Sequence, residues 1–201
     1  MTVAWTAHRF SGGVLALDTA NTVVLRNYPD RRFDRFDDTI EIGRFAEAAS
    51  IFRCDEVGRP LVVDDVAGAS DRVIRLREAI DTLFRDQAAG VPLKAGRVAE
   101  LLRACADSLE AGGDFRLTSG APFGRSDEPL SFEAALAVSA LSLLSSGSLA
   151  KLKICRHCEW LFLDKSRNSS RLWCDMSVCG NRVKAKQHYR RQKMQREKTD
   201  G

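Results

Sequence analysis

The chain has 201 residues, 44% of them apolar, which is enough for one ordinary domain and a small module. Its net charge is +4 and its mean hydropathy −0.23, and its longest apolar-rich run, 132–144, is interrupted by Glu133, Ser139 and Ser142, too short and too polar to cross a bilayer. The opening MTVAWTAHRF lacks the basic start and continuous apolar core of a signal peptide, so the expectation is a cytoplasmic protein with no membrane partner.

In chain order, Gly12–Asn27 reads as a helix, because Val14, Leu17, Asn21 and Val24 share one face. Asn21 is a polar residue on that apolar stripe, with Asp18 one turn earlier. A buried amide must find a partner, so Asp18 and Asn21 are candidates either for a small-ligand contact or for satisfying backbone groups in the core. Residues 27–38 form a charged connection containing Pro29. A second helix is expected over Asp37–Phe52, with Asp37, Asp38 and Thr39 as caps and Ile42, Phe45, Ala49 and Phe52 turned inward. Gly58-Arg59-Pro60 breaks the chain before Leu61–Val63, a short strand or a loop anchor. Ser70–Ala89 carries the clearest helical stripe, with Ser70 as N-cap and Arg72, Arg75, Arg77 and Arg85 as a solvated face. Ala95–Glu110 repeats the pattern and places Cys105 inward as an inert thiol. Phe115–Leu117 and Gly120–Pro129 suggest a small hairpin. Ser131–Lys151 is expected to be a long apolar helix, the central packing element, running almost directly into Cys155. The resulting fold class is mainly α, with minor β in an N-terminal helical domain.

Charge divides the chain near residue 150. Residues 1–150 hold 17 Lys and Arg against 22 Asp and Glu, net −5, while residues 151–201 hold 14 against 5, net +9. Two domains are expected: 1–150, a helical body, and 151–201, a basic module.

That module opens with four cysteines, Cys155, Cys158, Cys174 and Cys179, spaced Cys-x2-Cys, fifteen residues, Cys-x4-Cys. The first pair suits one metal knuckle, and the excursion is long enough for a hairpin to return the second pair. Soft thiolates in fourfold coordination favour Zn2+, and four protein ligands leave no position for a catalytic water, so one structural zinc is expected. A disulfide pair, an iron–sulfur cluster and free thiols are the alternatives; a reducing compartment weighs against the first. A strand over Glu159–Asp164, a turn at Lys165–Ser170 and a return through Arg171–Trp173 would make a hairpin with the metal at its base. Gly180 follows the last ligand, where a positive φ is often required. His157 sits inside the first knuckle, but as a ligand it would displace a better-spaced cysteine. Zinc with four thiolates carries about −2, which leaves the loaded module at about +7.

The residues CGNR at Cys179–Arg182, the upstream Cys-x2-Cys, Phe162–Ser166 as F-x-D-x-S and Arg171–Cys174 as R-x-W-C resemble the CGNR-type zinc finger. That module is usually C-terminal and follows an ABATE-type domain in bacterial proteins described as stress-induced transcription regulators. Gly12–Val23, GGVLALDTANTV, is similar to the opening signature of that domain. The resemblance implies a DNA-binding regulator whose N-terminal domain senses a ligand or stress signal.

Beyond the last ligand, Asn181–Lys198 is basic and helix-favouring, with too thin an apolar stripe to dock firmly. Arg182, Lys184, Lys186, Arg190 and Arg191 suit phosphate neutralisation. Arg182 and Asn181 also suit the edges of guanine and adenine. Residues 193–201 read as a solvated tail. DNA is the expected partner. RNA, with Trp160, Phe162 and Trp173 as stacking platforms, is the alternative, as is an adaptor whose finger mediates protein contacts or homo-oligomerisation. The sequence contains no P-loop, G-x-S-x-G, H-E-x-x-H or Rossmann glycine pattern, so no enzyme is expected.

Overall fold

The computed structural model describes residues 2–113, 123 and 127–199. In order, the helices are α1 (Leu15–Ala20), α2 (Ile40–Phe52), α3 (Val66–Ala88), α4 (Ala95–Ala111), α5 (Phe132–Ser142), α6 (Ser146–Leu149) and α7 (Asn181–Thr199). The strands are β1 (Val23–Val24), β2 (Phe33–Asp34), β3 (Leu61–Val62), β4 (Leu130–Ser131), β5 (Leu152–Ile154) and β6 (Leu161–Leu163). β1 pairs antiparallel with β2, β3 parallel with β4, and β5 antiparallel with β6. The protein is mainly α, as expected.

α5 is the centre. Every residue from Phe132 to Ala140 is buried, and the helix packs on α4, α1 and α3. A helix surrounded on all sides has no need of a polar face, which explains its largely apolar composition. Its polar members are satisfied: Ser139 accepts from the Ala16 amide and donates to Glu56, and Glu133 pairs with Arg72. The long helix expected over Ser131–Lys151 instead stops at Ser142 and resumes as the short α6. α4 follows its stripe, with Leu101, Ala104 and Cys105 buried. Burial pushes the Cys105 thiol up to about 12, which makes it inert.

Three other expectations are corrected. The helix expected over Gly12–Asn27 is only α1. Gly13 enters it at φ 93°, and the β-branched run Thr22-Val23-Val24 leaves it to form β1. α3 begins at Val66, so Ser70 lies inside it, donating to the Ala67 carbonyl rather than capping. The arginines of α3 are not a solvated face. Arg77 is 2% exposed and makes two hydrogen bonds to Asp34, at 2.7 and 2.6 Å. Arg85 holds Asp81 on α3 itself, and only Arg75 forms an exposed pair, with Asp107. The stripe gave no warning, because the partners of Arg77 and Arg72 lie 43 and 61 residues away. The hairpin expected around 115–129 lies largely outside the described residues.

Candidate metal centre and its basic helix

β5 and β6 form the hairpin, and the knuckle Cys155–Cys158 is its tip. The expected return strand at Arg171–Trp173 is not part of it; that limb is tied to the knuckle by the Arg156 amide donating to the Leu172 carbonyl at 3.1 Å. Cys155 donates its amide to Trp160 O at 2.8 Å, and Glu159, in the left-handed region at φ 61°, closes the turn. At the second pair, Asp175 organises the chain. Its Oδ1 accepts from the amides of Ser177 and Val178, and its carbonyl accepts from those of Cys179 and Gly180. The result is a π-helical turn, Met176–Gly180, that brings Cys179 back to Cys174. Gly180 does not have positive φ. A Cβ there would meet the thioether of Met176, the movable end of an exposed side chain.

The four sulfurs lie within 4.8 Å of one another, with Cys158–Cys174 at 3.6 Å and Cys174–Cys179 at 3.8 Å. A tetrahedron with Zn–S bonds of about 2.3 Å has edges of about 3.8 Å. A disulfide would need about 2.05 Å, and all six cysteines are free. Hydrogen bonds from the thiols of Cys158 and Cys174, helped by the amides of the same residues, outweigh burial and hold the Cys155 thiol below its usual range. Cys155, Cys174 and Cys179 are buried and Cys158 half-buried. The four cysteines are thus positioned to bind one zinc ion, and among the described residues no fifth His, Cys, Asp or Glu joins the cluster. His157 is exposed and contributes nothing. Bound zinc would cross-link the hairpin tip to the π-helical turn.

β6 is buried on both faces. Leu161 and Leu163 enter the main core, and Phe162, pointing the other way, packs with Trp160, Trp173 and the cysteines. The body grips this strand. Asn21 donates to the Leu161 carbonyl and accepts from its amide, both at 2.9 Å, and Gly12 O accepts from Leu163 N at 2.8 Å. His8 stacks on Trp160 with 5.4 Å between centroids and meets Asp175 at 3.0 Å. Arg85 reaches the Glu159 carbonyl, while Asn27 and Tyr28 donate to its carboxylate. Asp18 accepts from the Gly12 amide at 2.7 Å and pairs with Arg53; burial pushes its carboxyl up to about 7 against the pull of that guanidinium. Asp18 and Asn21, the two candidate ligand contacts, therefore have their polar groups taken up within the chain. The stripe position of Asn21 was the readable signal. His8, Arg85 and Glu159 carried none, because each depends on a partner more than 70 residues away.

Comparison with known families agrees with this architecture. The model of the CGNR zinc finger matches residues 151–192, and that of ABATE, described as "Putative stress-induced transcription regulator", matches residues 13–147. The chain belongs to the ABATE family. Its CGNR finger occupies the C-terminal position, and both are regulatory or zinc-finger families rather than enzymes. No curated protein matches the sequence. Among the described residues, no helix is long and apolar enough to cross a membrane.

α7 starts directly after the final Cys-Gly of the finger. From Asn181 to Gln195 every residue is exposed except Val183, which is half-buried. Helical spacing puts Arg182, Lys186 and Arg190 on one face together with Tyr189, which is 69% exposed, and puts Lys184 and Arg191 on the opposite face. Asn181, itself exposed, donates its side-chain amide to the Ser177 carbonyl at 3.0 Å, which fastens the start of the helix.

Proposed function

We propose that this zinc-finger regulator binds duplex DNA through α7. The observation that carries the reading is the contrast in charge and burial on that helix. Residues 181–195 contain six Lys and Arg and no acidic residue, and almost nothing of the segment is buried. A helix without an apolar face gains little from the body, and like charges along it repel one another. A polyanion would draw the cations from Arg182 to Arg191, through phosphate neutralisation and counterion release. Arg182, Lys186 and Arg190 form the leading face, Lys184 and Arg191 add positive charge on the opposite one, and Asn181 sits at the end nearest the four cysteines. The zinc-bound turn fixes the direction in which the helix leaves the body. RNA is the weaker reading, because Trp160 and Phe162 are buried and unavailable for base stacking.

The test is selection from random duplexes with the full zinc-loaded chain, followed by a salt titration. With about five phosphate contacts, log K should fall with log salt at a slope of about −4 to −5. Lys186→Ala should flatten the slope by about one unit on all sequences, and Arg182→Ala should cost about 1–3 kcal/mol on the selected site and little elsewhere. If no sequence is enriched and the variants act alike, the protein is a non-specific polyanion binder. If no binding occurs at low salt, the finger is a protein-contact element.

A further inference from the structure

A cavity of about 430 Å3 is formed under the N-terminal segment and lined by Val3, Arg9, Phe33 and Arg35 and by three carboxylates, Asp34, Asp37 and Asp38, among others. Arg35 is its unusual member. It is 5% exposed, its ring neighbours are Trp160 and Phe33 at 5.4 Å each, and its only hydrogen bonds run from Nη1 to the carbonyls of Asn21 and Thr22 at 3.1 and 3.5 Å. Among the described residues no carboxylate pairs with it. Asp34 is adjacent in sequence, but both of its oxygens are held by Arg77. A buried guanidinium facing neutral groups costs several kcal/mol unless an anion compensates it. Arg9, half-buried on the same cavity wall, makes no side-chain hydrogen bond or ion pair among the described residues. Arg182, on α7, is a third cation in this neighbourhood. Burial, and then the nearby charge of Arg9, push the Arg35 guanidinium down to about 9; burial, and then Arg182, lower that of Arg9. Three like charges, in order of increasing exposure from Arg35 through Arg9 to Arg182, are brought together, and the charge of Asp34 only partly offsets them at Arg35.

We infer that this cavity is a binding site for a small phosphate monoester, its phosphate held between Arg35 and Arg9 and its organic part against Val3 and Phe33. Two guanidiniums match the double charge of a phosphate monoester better than that of a single carboxylate, and their planar forks suit its oxygens. The volume suits a small metabolite. Asp37 and Asp38 on the same wall disfavour a second phosphate and can accept from hydroxyl groups. Because Arg35 also stacks on Trp160 beneath the metal centre, an anion here touches the element that sets the direction of α7. The site is independent of the DNA reading, since its occupancy is measured without DNA.

The experiment is calorimetric titration of the full zinc-loaded chain with phenyl phosphate, with inorganic phosphate and phenol as comparisons. Phenyl phosphate should bind saturably, more tightly than inorganic phosphate, and phenol should not bind. Arg35→Gln and Arg9→Gln should each weaken binding at least tenfold, while Lys184→Ala, on the far face of α7, should leave it unchanged. Arg9→Gln keeps the test decisive if Arg35→Gln does not fold. Absence of saturable binding, or an unchanged affinity in Arg9→Gln, overturns the assignment. So does displacement of phenyl phosphate by duplex DNA at equal phosphate concentration, which would make these arginines part of the DNA surface.

Discussion

The two halves of the zinc module behave in opposite ways. The hairpin of β5 and β6 is buried on both faces and held by Asn21, Gly12, His8 and Arg85 of the body. α7, which starts two residues after Cys179, is exposed along residues 181–195 apart from the half-buried Val183. The lesson is that the finger is not an independent bead on a tether. One half completes the core of the helical domain, the other stands exposed, and the four-cysteine centre lies between them. The charge step near residue 150 marks a change in chemistry, but the packing boundary runs later, between β6 and α7.

The largest expected effect comes from breaking that centre. Structural zinc supplies roughly 10–16 kcal/mol of apparent binding free energy in isolated fingers, and that energy is also folding energy. Chelation, or Cys174→Ser, should abolish zinc content and unfold residues 152–190. Because Leu152, Leu161 and Leu163 sit in the main core, it should also lower the melting temperature of the helical body, as read by calorimetry with metal analysis. A body melting at an unchanged temperature would make the two regions independent after all.

Next comes the clamp. Asn21→Ala removes two hydrogen bonds and strands the buried amide and carbonyl of Leu161, which should cost about 2–4 kcal/mol in denaturant unfolding. Asn181→Ala, which removes one exposed hydrogen bond on the other half, should stay within about 0.5 kcal/mol.

A smaller, pH-dependent effect sharpens the comparison from the side of the body. Burial alone would raise the Asp34 carboxyl, but the hydrogen bonds and charge of Arg77 outweigh it and hold it below the usual range. A depressed folded-state pKa gives stability that is present above the unfolded value near 3.9 and lost as pH falls toward the folded one. The melting-temperature gap between the wild type and Asp34→Asn should therefore be widest at pH 7 and close as pH falls below about 4. Smallest of all on stability is Lys186→Ala, within about 0.5 kcal/mol, although it should flatten the salt dependence of DNA binding.

The sequence made local chemistry legible. Cysteine spacing located the metal centre, the apolar run located α5, and the missing stripe of 181–198 indicated an unburied helix. Asn21 was visible as an anomaly on its stripe, but its partner was not, since Leu161 lies 140 residues away. The same holds for Arg77 and Arg35. A charged residue on a helix or in a loop reads as solvated until tertiary structure supplies a carboxylate, a carbonyl or an aromatic ring. Knuckle spacing likewise fixes which sulfurs converge, but not which strand pairs with β6.

Hydrogen exchange on the zinc-loaded full chain, with and without the selected duplex, tests the division of the finger most directly. The amides of Leu161 and Leu163 should be protected to nearly the global stability in both states. Those of 184–195 should exchange quickly in the free protein and gain protection when duplex is added. Slow exchange along α7 in the free protein, or none gained with duplex, would contradict a clamped hairpin presenting a free helix to DNA.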